Sequence, residues 1–347
     1  MKCLFLAPLR YPFVHSIASG LLSQGFKVQS VDYEDFFSTT TNRFVNSSKS
    51  LPRRVRSLWE SPHERSVNLR YLEIFDRFSP DLVFIYNNQL VLPDVVERFA
   101  EKARIAFMLG DNPLYTPTSI YNLHILFHAD YIITPDSLWR DQLTRLGIRN
   151  VVFDCFGYAP EDGSAAEPTS LERREHGSDF VYVGSGSKTN WGYKRITFLN
   201  LFSSFNLRAY ISGGGLERWF HLYPDVESKI IPHDRFDAGF NNVVYRCSKI
   251  APVDLVPSLF NGIHVRVFDA LKAGILPLCE QSADLERVFD GIELPLIRDY
   301  REAQEIARHW LENGEARLEC IRLMRARVEE HYTPSIVIKR MKEELFK

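Results

Sequence analysis

The sequence predicts an α/β protein built from two similar units in tandem. Three observations carry this. Short apolar runs alternate with longer segments of helical pattern, as parallel sheets flanked by helices require. Several runs, such as Leu82 to Tyr86 (LVFIY), do not alternate polar with apolar, as expected of strands buried on both faces. The chain has 347 residues, which favours two domains over one.

Taken in order, KCLFLAPL is the first buried strand. A helix follows from about Val14 to Gln24, then the strand FKVQSVDY. Residues 38–56, STTTNRFVNSSKSLPRRVR, are polar and then basic, and read as a long exposed loop. DLVFIYN, the helix LPDVVERFAEKA and RIAFMLGD continue the pattern, as do DYIITPD, SLWRDQLTRLG and NVVFDCF. Residues 161–178 are polar, non-periodic and contain Pro, Gly and Ser, so they read as a linker. A second series follows: DFVYVGSG, ITFLNLFSSF, LRAYISGG, VVYRCSK, VRVFDALKAG, ILPLCE and LPLIRD, with helices from about Arg301 onward.

Composition excludes several classes. Apolar residues make up 45% of the chain, ordinary for a soluble globular protein. A net charge of -2 gives no global field to recruit nucleic acid or membrane. Five cysteines (Cys3, Cys155, Cys247, Cys279, Cys320), without a CxxC pair, read as reduced and mostly buried thiols in a cytoplasmic protein. The apolar start is short for a signal peptide, and no run reaches the roughly 18 apolar residues of a membrane span.

Ligands of open parallel sheets bind beyond the carboxyl ends of strands. Three turns of the second unit sit there. In VYVGSGSKTNWGYKR, Gly184 and Gly186 would let backbone approach a ligand, with Ser185 between them and Lys188, Lys194 and Arg195 adding positive charge. The same GSGS is compatible with a plain flexible turn. In YISGGGLERW, Gly213, Gly214 and Gly215 are more glycine than a structural turn needs, although a tight turn accounts for them too. In NGIHVRVFDALKAG, Asn261, His264, Arg266 and Asp269 crowd the start of a helix. Arg266 offers a planar fork of donors for phosphate and Asp269 could accept from a diol. Singly, Arg266 could be a surface salt bridge and His264 a satisfied loop histidine.

The first unit lacks the G-x-G-x-x-G spacing of dinucleotide sites. Arg10 and His15 lie near its first helix start, and Asp111 and Asn112 follow the strand RIAFMLG. Asp111 and Pro113 could equally just shape a turn.

In this order, GSGS…YKRITFLNLF, LRAYISGG, YRCSKIAPV, HVRVFDALKAGILPLCE and EEHYTPSIVIKRM resemble the group 1, family 4-like glycosyltransferases of GT-B fold. The closest branch in pattern is the CgeB-like (spore maturation protein) one. Its R-x-F-E-x-x-x-x-G-like element is matched by Arg266, Phe268, Asp269 and Gly274, and a later His-Tyr-Thr by His331, Tyr332 and Thr333. The resemblance covers most of residues 80–347 and is more specific within 180–340.

The resemblance implies two Rossmann-like domains whose parallel sheets face across a cleft. Residues 1–160 would form the acceptor domain, 179–333 the donor domain, and a final helix at about 334–347 would cross back. The family's E-x7-E is altered here to Asn261-x7-Asp269. Asp269 would still bind the ribose, while Asn261 cannot supply the first charge. The implied reaction is metal-independent, retaining sugar transfer from a nucleotide-diphosphate sugar, a UDP-sugar in the first instance. The acceptor would be a glycan, a lipid-linked glycan or a protein, as in polysaccharide biosynthesis. Gly184, Ser185, Lys188, Arg195, Gly213, Gly214, Asn261, His264, Arg266 and Asp269 would hold the donor. Arg266 would also stabilise the leaving diphosphate, and His15 and Asp111 would orient or deprotonate the acceptor. No other cofactor, no metal and no nucleic acid is implied. Lys49, Arg53, Arg54 and Arg56 offer a basic face for a charged acceptor or for peripheral contact with the inner face of a membrane. The alternatives are a nucleotide-sugar epimerase of GT-B fold and a non-catalytic nucleotide-sugar binding protein.

Overall fold

Two six-stranded sheets, every pairing parallel, organise the chain. The structure, a computed structural model, describes residues 1–48, 51–115, 121–160, 167–233 and 237–347. It divides into one unit of Met1–Cys155 with Pro334–Lys347 and a second of Phe156–Thr333.

The first unit runs β1 (Lys2–Leu6), α1 (Pro12–Ser23), β2 (Lys27–Val31), α2 (Thr39–Ser48), α3 (Arg53–Phe78), β3 (Leu82–Tyr86), α4 (Pro93–Ala100), β4 (Arg104–Met108), α5 (Asn122–Leu126), β5 (Tyr131–Thr134), α6 (Ser137–Arg145) and β6 (Val151–Phe153). Its strand order is β2-β1-β3-β4-β5-β6. Leu82, Val83, Phe84 and Ile85 are fully buried, which is why that strand shows no alternation. Segment 38–56 is not a loop: α2 and the first turn of α3 occupy its described residues. Pro62 sits inside the 26-residue α3, so proline and polarity hid a helix from the sequence pattern. Lys49 lies outside the described residues.

The second unit runs α7 (Ser170–His176), β7 (Ser178–Ser185), α8 (Asn190–Asn200), β8 (Leu207–Ser212), α9 (Pro224–Glu227), β9 (Ile230–Pro232), α10 (Ala238–Arg246), β10 (Ser248–Val253), α11 (Val265–Ala273), β11 (Leu276–Glu280), α12 (Ala283–Val288), β12 (Leu296–Ile297), α13 (Ala303–Glu312) and α14 (Gly314–His331). Its order is β12-β11-β10-β7-β8-β9. Two parts of the sequence reading change. Within 161–178, α7 replaces loop, because Thr169 and Glu172 form a reciprocal capping box; residues 161–166 lie outside the described residues. In VVYRCSK, the first four residues end α10 and the strand starts at Ser248.

The chain ends in α15 (Pro334–Leu345), which belongs to the first unit. A side chain on Gly20 of α1 would meet the Pro334 backbone at 2.8 Å, so glycine there lets the two helices close. Arg340 adds an ion pair to Asp154, just past β6, at 2.7 Å. Among the described residues, no helix is long and apolar enough to cross a membrane.

Candidate functional site

In the second sheet the strand order reverses between β7 and β10, whose carboxyl ends therefore frame the crevice where open sheets bind ligands. Asp254 follows β10 directly and is fully buried. Arg266, on the first turn of α11, donates to its Oδ1 at 2.5 Å and to its carbonyl oxygen at 2.8 Å. Arg195, on α8, donates to its Oδ2 at 3.1 Å. The Tyr182 hydroxyl of β7 donates to Oδ1 at 2.7 Å, and the Arg266 guanidinium lies 4.7 Å from the Tyr182 ring centre.

Burial alone would raise the Asp254 pKa, but Arg266, Arg195 and the hydrogen bonds hold it far below the usual carboxylate range. Two guanidinium cations thus share one carboxylate, leaving one surplus positive charge away from water. Arg195 is 2% exposed and Arg266 is 6% exposed. Arg266 Nη1 is buried without a hydrogen-bond partner. An orphaned charged donor is expensive unless something pairs with it. The arrangement suits an anion with several acceptor oxygens, such as a diphosphate.

His264 caps α11. Its Nδ1 accepts from the backbone N–H of Arg266 at 3.2 Å and from Arg266 Nε at 3.3 Å. Burial, with Arg266 beside it, pushes its pKa well below the ordinary value, so the ring is neutral. With Nδ1 accepting, the proton sits on Nε2, a second donor at the helix entrance. Asp269, one turn further on, is solvent-accessible yet ringed by protein atoms. That desolvation pushes its pKa up to about 6, with Lys272 and Arg266 pulling the other way. Gly274 closes α11 with φ +77°, a left-handed cap that favours glycine.

The glycines of these turns are also required by protein contacts and backbone conformation. A side chain on Gly184 would meet the Tyr182 ring at 2.6 Å, so Gly184 makes room for the tyrosine that reaches Asp254. One on Gly186 would meet the Gly214 carbonyl oxygen at 2.8 Å. The close approach at both positions is thus protein on protein. Gly213 (φ +69°) and Gly215 (φ +121°) need glycine for their backbone, whereas Gly214 does not. Ser185 accepts from Arg195 Nη1 through its carbonyl oxygen at 2.5 Å. Lys188 is exposed, and its carbonyl oxygen accepts from Arg218 at 2.7 Å. Asn261 is half-buried before α11, with its carbonyl oxygen accepting from the Asp284 N–H at 2.8 Å.

Gly184, Ser185, Arg195, His264 and Arg266 therefore converge on Tyr182 and Asp254, which sequence reading missed. The available signal was an acid placed directly after an apolar strand, where parallel sheets present their ligand groups. Glu280, at the end of β11, was missed as well. It accepts from Lys194 at 2.5 Å, from the Leu255 N–H at 2.6 Å and from the Tyr300 hydroxyl. These residues line an open pocket, with Phe260 and Arg298.

In the first unit, His15 is exposed on α1 and Arg10 pairs with Glu34 at 3.3 Å. Asp111 follows β4 and accepts from Asn87 Nδ2 at 2.9 Å. Asn87 Oδ1 accepts from the Gly110 N–H at 2.6 Å and the Asp111 N–H at 3.2 Å. Asn87, Gln89 and Leu90 are all left-handed, with φ of 56°, 47° and 59°. For leucine that conformation is costly and marks a loop held by its surroundings. Asn68 supplies part of the hold, donating to the Leu90 carbonyl oxygen at 2.9 Å and accepting from the Leu92 N–H at 3.0 Å. Lines of sequence alone gave Asp111 but not Asn87.

Residues 174–343 match the family model described as glycosyl transferase-like. No curated protein sequence matches the chain. Among solved structures, the chain is similar to sucrose-phosphate synthase from Thermosynechococcus elongatus, at TM-score 0.68 and 12% identity, over 100% of this chain and 99% of that one. It is similar to Anabaena HepE in complex with UDP-glucose, at TM-score 0.63 and 14% identity, over 99% of each chain. A structure of trehalose-6-phosphate synthase, an enzyme described as transferring a glycosyl group with retention, matches at TM-score 0.63 and 12% identity, over 99% of each chain. The fold is the two-domain GT-B type.

Proposed function

We propose that this chain, whose residues 174–343 match a glycosyl transferase-like family model and whose fold is of the GT-B type, moves a sugar from a UDP-sugar to a hydroxyl acceptor, with retention and without a metal in the transfer step. The observation that carries this reading is the surplus buried cation beside Asp254, with Arg266 Nη1 unpartnered. The donor diphosphate supplies the missing acceptor oxygens. His264 Nε2–H and the amides opening α11 add neutral donors, and Asp269 takes the ribose diol. The likeness to HepE in complex with UDP-glucose supports uridine as the base to test first.

In the transfer step the bond from the sugar C1 to the diphosphate oxygen breaks and a bond from C1 to the acceptor oxygen forms. The acceptor proton passes to the departing diphosphate. Arg266, Arg195 and the helix entrance stabilise the charge that develops there. Fixed donors of this kind typically contribute about a hundredfold or more in rate each. Likeness of fold to trehalose-6-phosphate synthase, described as transferring a glycosyl group with retention, supports retention here. Asp111, held by Asn87, and His15 are the acceptor-side groups we assign. Arg266, Phe268 and Asp269 support the CgeB-like branch. Arg54 and Arg56 open α3 among the exposed Val55 and Leu58, which supports contact with a charged acceptor or membrane surface there.

The test is thermal stability of the purified protein against UDP, GDP, dTDP, ADP and CMP without added metal. A ligand at about a hundred times its dissociation constant adds roughly 2.7 kcal/mol, worth a few degrees for a chain of this size. A rise selective for UDP supports the reading, and no rise with any nucleotide would sink it. Consumption of UDP-sugar without any acceptor would shift the reading to an epimerase.

A further inference from the structure

Two histidines and a glutamate converge on the surface of the first unit. Glu97 is exposed on α4, and His124 is exposed on α5. The helical turn continues past Leu126, since the His128 N–H donates to the Ile125 carbonyl oxygen at 3.2 Å. That sets His124 and His128 four residues apart on one face, with ring centroids 5.4 Å apart. His128 Nε2 lies 3.6 Å from a Glu97 carboxylate oxygen. One ligand atom from each residue lies within 4.8 Å of the other two, the one such group among the described residues.

We propose that Glu97, His124 and His128 form a binding site for a divalent transition metal, Zn²⁺ foremost, that ties α5 to α4. Imidazole and carboxylate ligands sit about 2.0–2.2 Å from zinc, so tetrahedral donors lie about 3.5 Å from one another. Rotating exposed or half-exposed side chains reaches that spacing without moving the core. Two neutral nitrogens and one carboxylate leave a fourth position for water, and this donor set suits zinc, copper or nickel over magnesium or calcium. The other face of α5 gives the tie a consequence. Asn122, Ile125 and Leu126 line a small pocket with Asn87 and Asp111, while α4 starts directly after the left-handed loop of Asn87 to Leu90. A bound ion holds both sides of the Asp111 pocket in place. It takes no part in the transfer chemistry, and the site stands whether or not the sugar-transfer reading does.

The experiment titrates chelator-stripped full-length protein with Zn²⁺ against a chromophoric chelator, and with Co²⁺ followed by its visible absorption. The expected result is one equivalent bound, with the intense visible bands of tetrahedral cobalt. His124→Ala and His128→Ala should each weaken binding tenfold or more, Glu97→Gln less, and excess Mg²⁺ should not compete. Melting curves in chelator should be the same for all variants. Absence of stoichiometric binding, or binding unchanged in the variants, overturns the site.

Discussion

The carboxyl edges of the two sheets are built in opposite ways. In the second unit the functional groups are charged, buried and fixed by one another: Arg195, Asp254 and Arg266 form one cluster, none more than 6% exposed. In the first unit Asp111 is exposed, and what fixes it is a neutral asparagine in a loop of left-handed residues. A charge cluster away from water holds its geometry through large electrostatic energies and suits a ligand whose anionic part is constant. A strained surface loop holds geometry through many small hydrogen bonds and is free to vary in what it contacts. On the reading proposed above, the nucleotide of a sugar donor calls for the first design, and a variable acceptor for the second.

Asp254→Ala should separate the two edges most. It leaves two buried cations facing each other, and breaking a buried pair typically costs about 3–5 kcal/mol. The melting point should fall by several degrees, with diphosphate ligands restoring part of it. A wild-type melting curve would show that the cluster does not hold the second unit together. Next comes Arg266→Lys, which keeps the charge and loses the fork. Transfer should fall about a hundredfold, measured as kcat/KM, while the melting point moves little. Equal loss of both would make Arg266 a structural residue.

Asp269 gives a pH test. Its carboxyl is ionised above about 6 in the folded protein, and the ionised form is the stronger acceptor from the ribose diol. Affinity for UDP-glucose, whose diphosphate does not titrate there, should rise as pH increases and level off above 7. At pH 5 about a tenth of the Asp269 carboxyl is ionised, so affinity should fall by up to about tenfold. The folded pKa is raised above the unfolded value, so Asp269 binds its proton more tightly in the fold and its contribution to stability is lost as pH rises through about 6. Asp269→Asn should flatten the affinity profile in titration calorimetry; an unchanged profile would exclude Asp269 from the ribose. The smallest effect on nucleotide binding belongs to Asn87→Ala. It removes three hydrogen bonds to Gly110 and Asp111, each worth about 1 kcal/mol. The first unit should lose stability of that order and nucleotide affinity should stay the same, since the two edges are built from separate residues. A drop in UDP affinity would break that separation.

Much of the fold was legible because parallel strands announce themselves: LVFIY and CLFL are continuous apolar runs between helical segments. The helices α2 and α7 were not, since their polar sequences carry little periodicity, although the T-S-L-E box before α7 was a readable cap. Part of the candidate site was legible in its turns. Arg266 and His264 stand out by position after a strand, a property of local sequence.

What the sequence by itself determined is thus the α/β class, the places where strands end, and the residue types that stand there. Only the tertiary structure decided which of them meet. Asp254 is 59 residues from Arg195 and 12 from Arg266, and no local pattern says that one carboxylate is shared. The glycines show the same limit. Read alone they suggest room for a ligand, but whether Gly184 faces a phosphate or the Tyr182 ring depends on packing between strands and loops that sequence spacing does not encode.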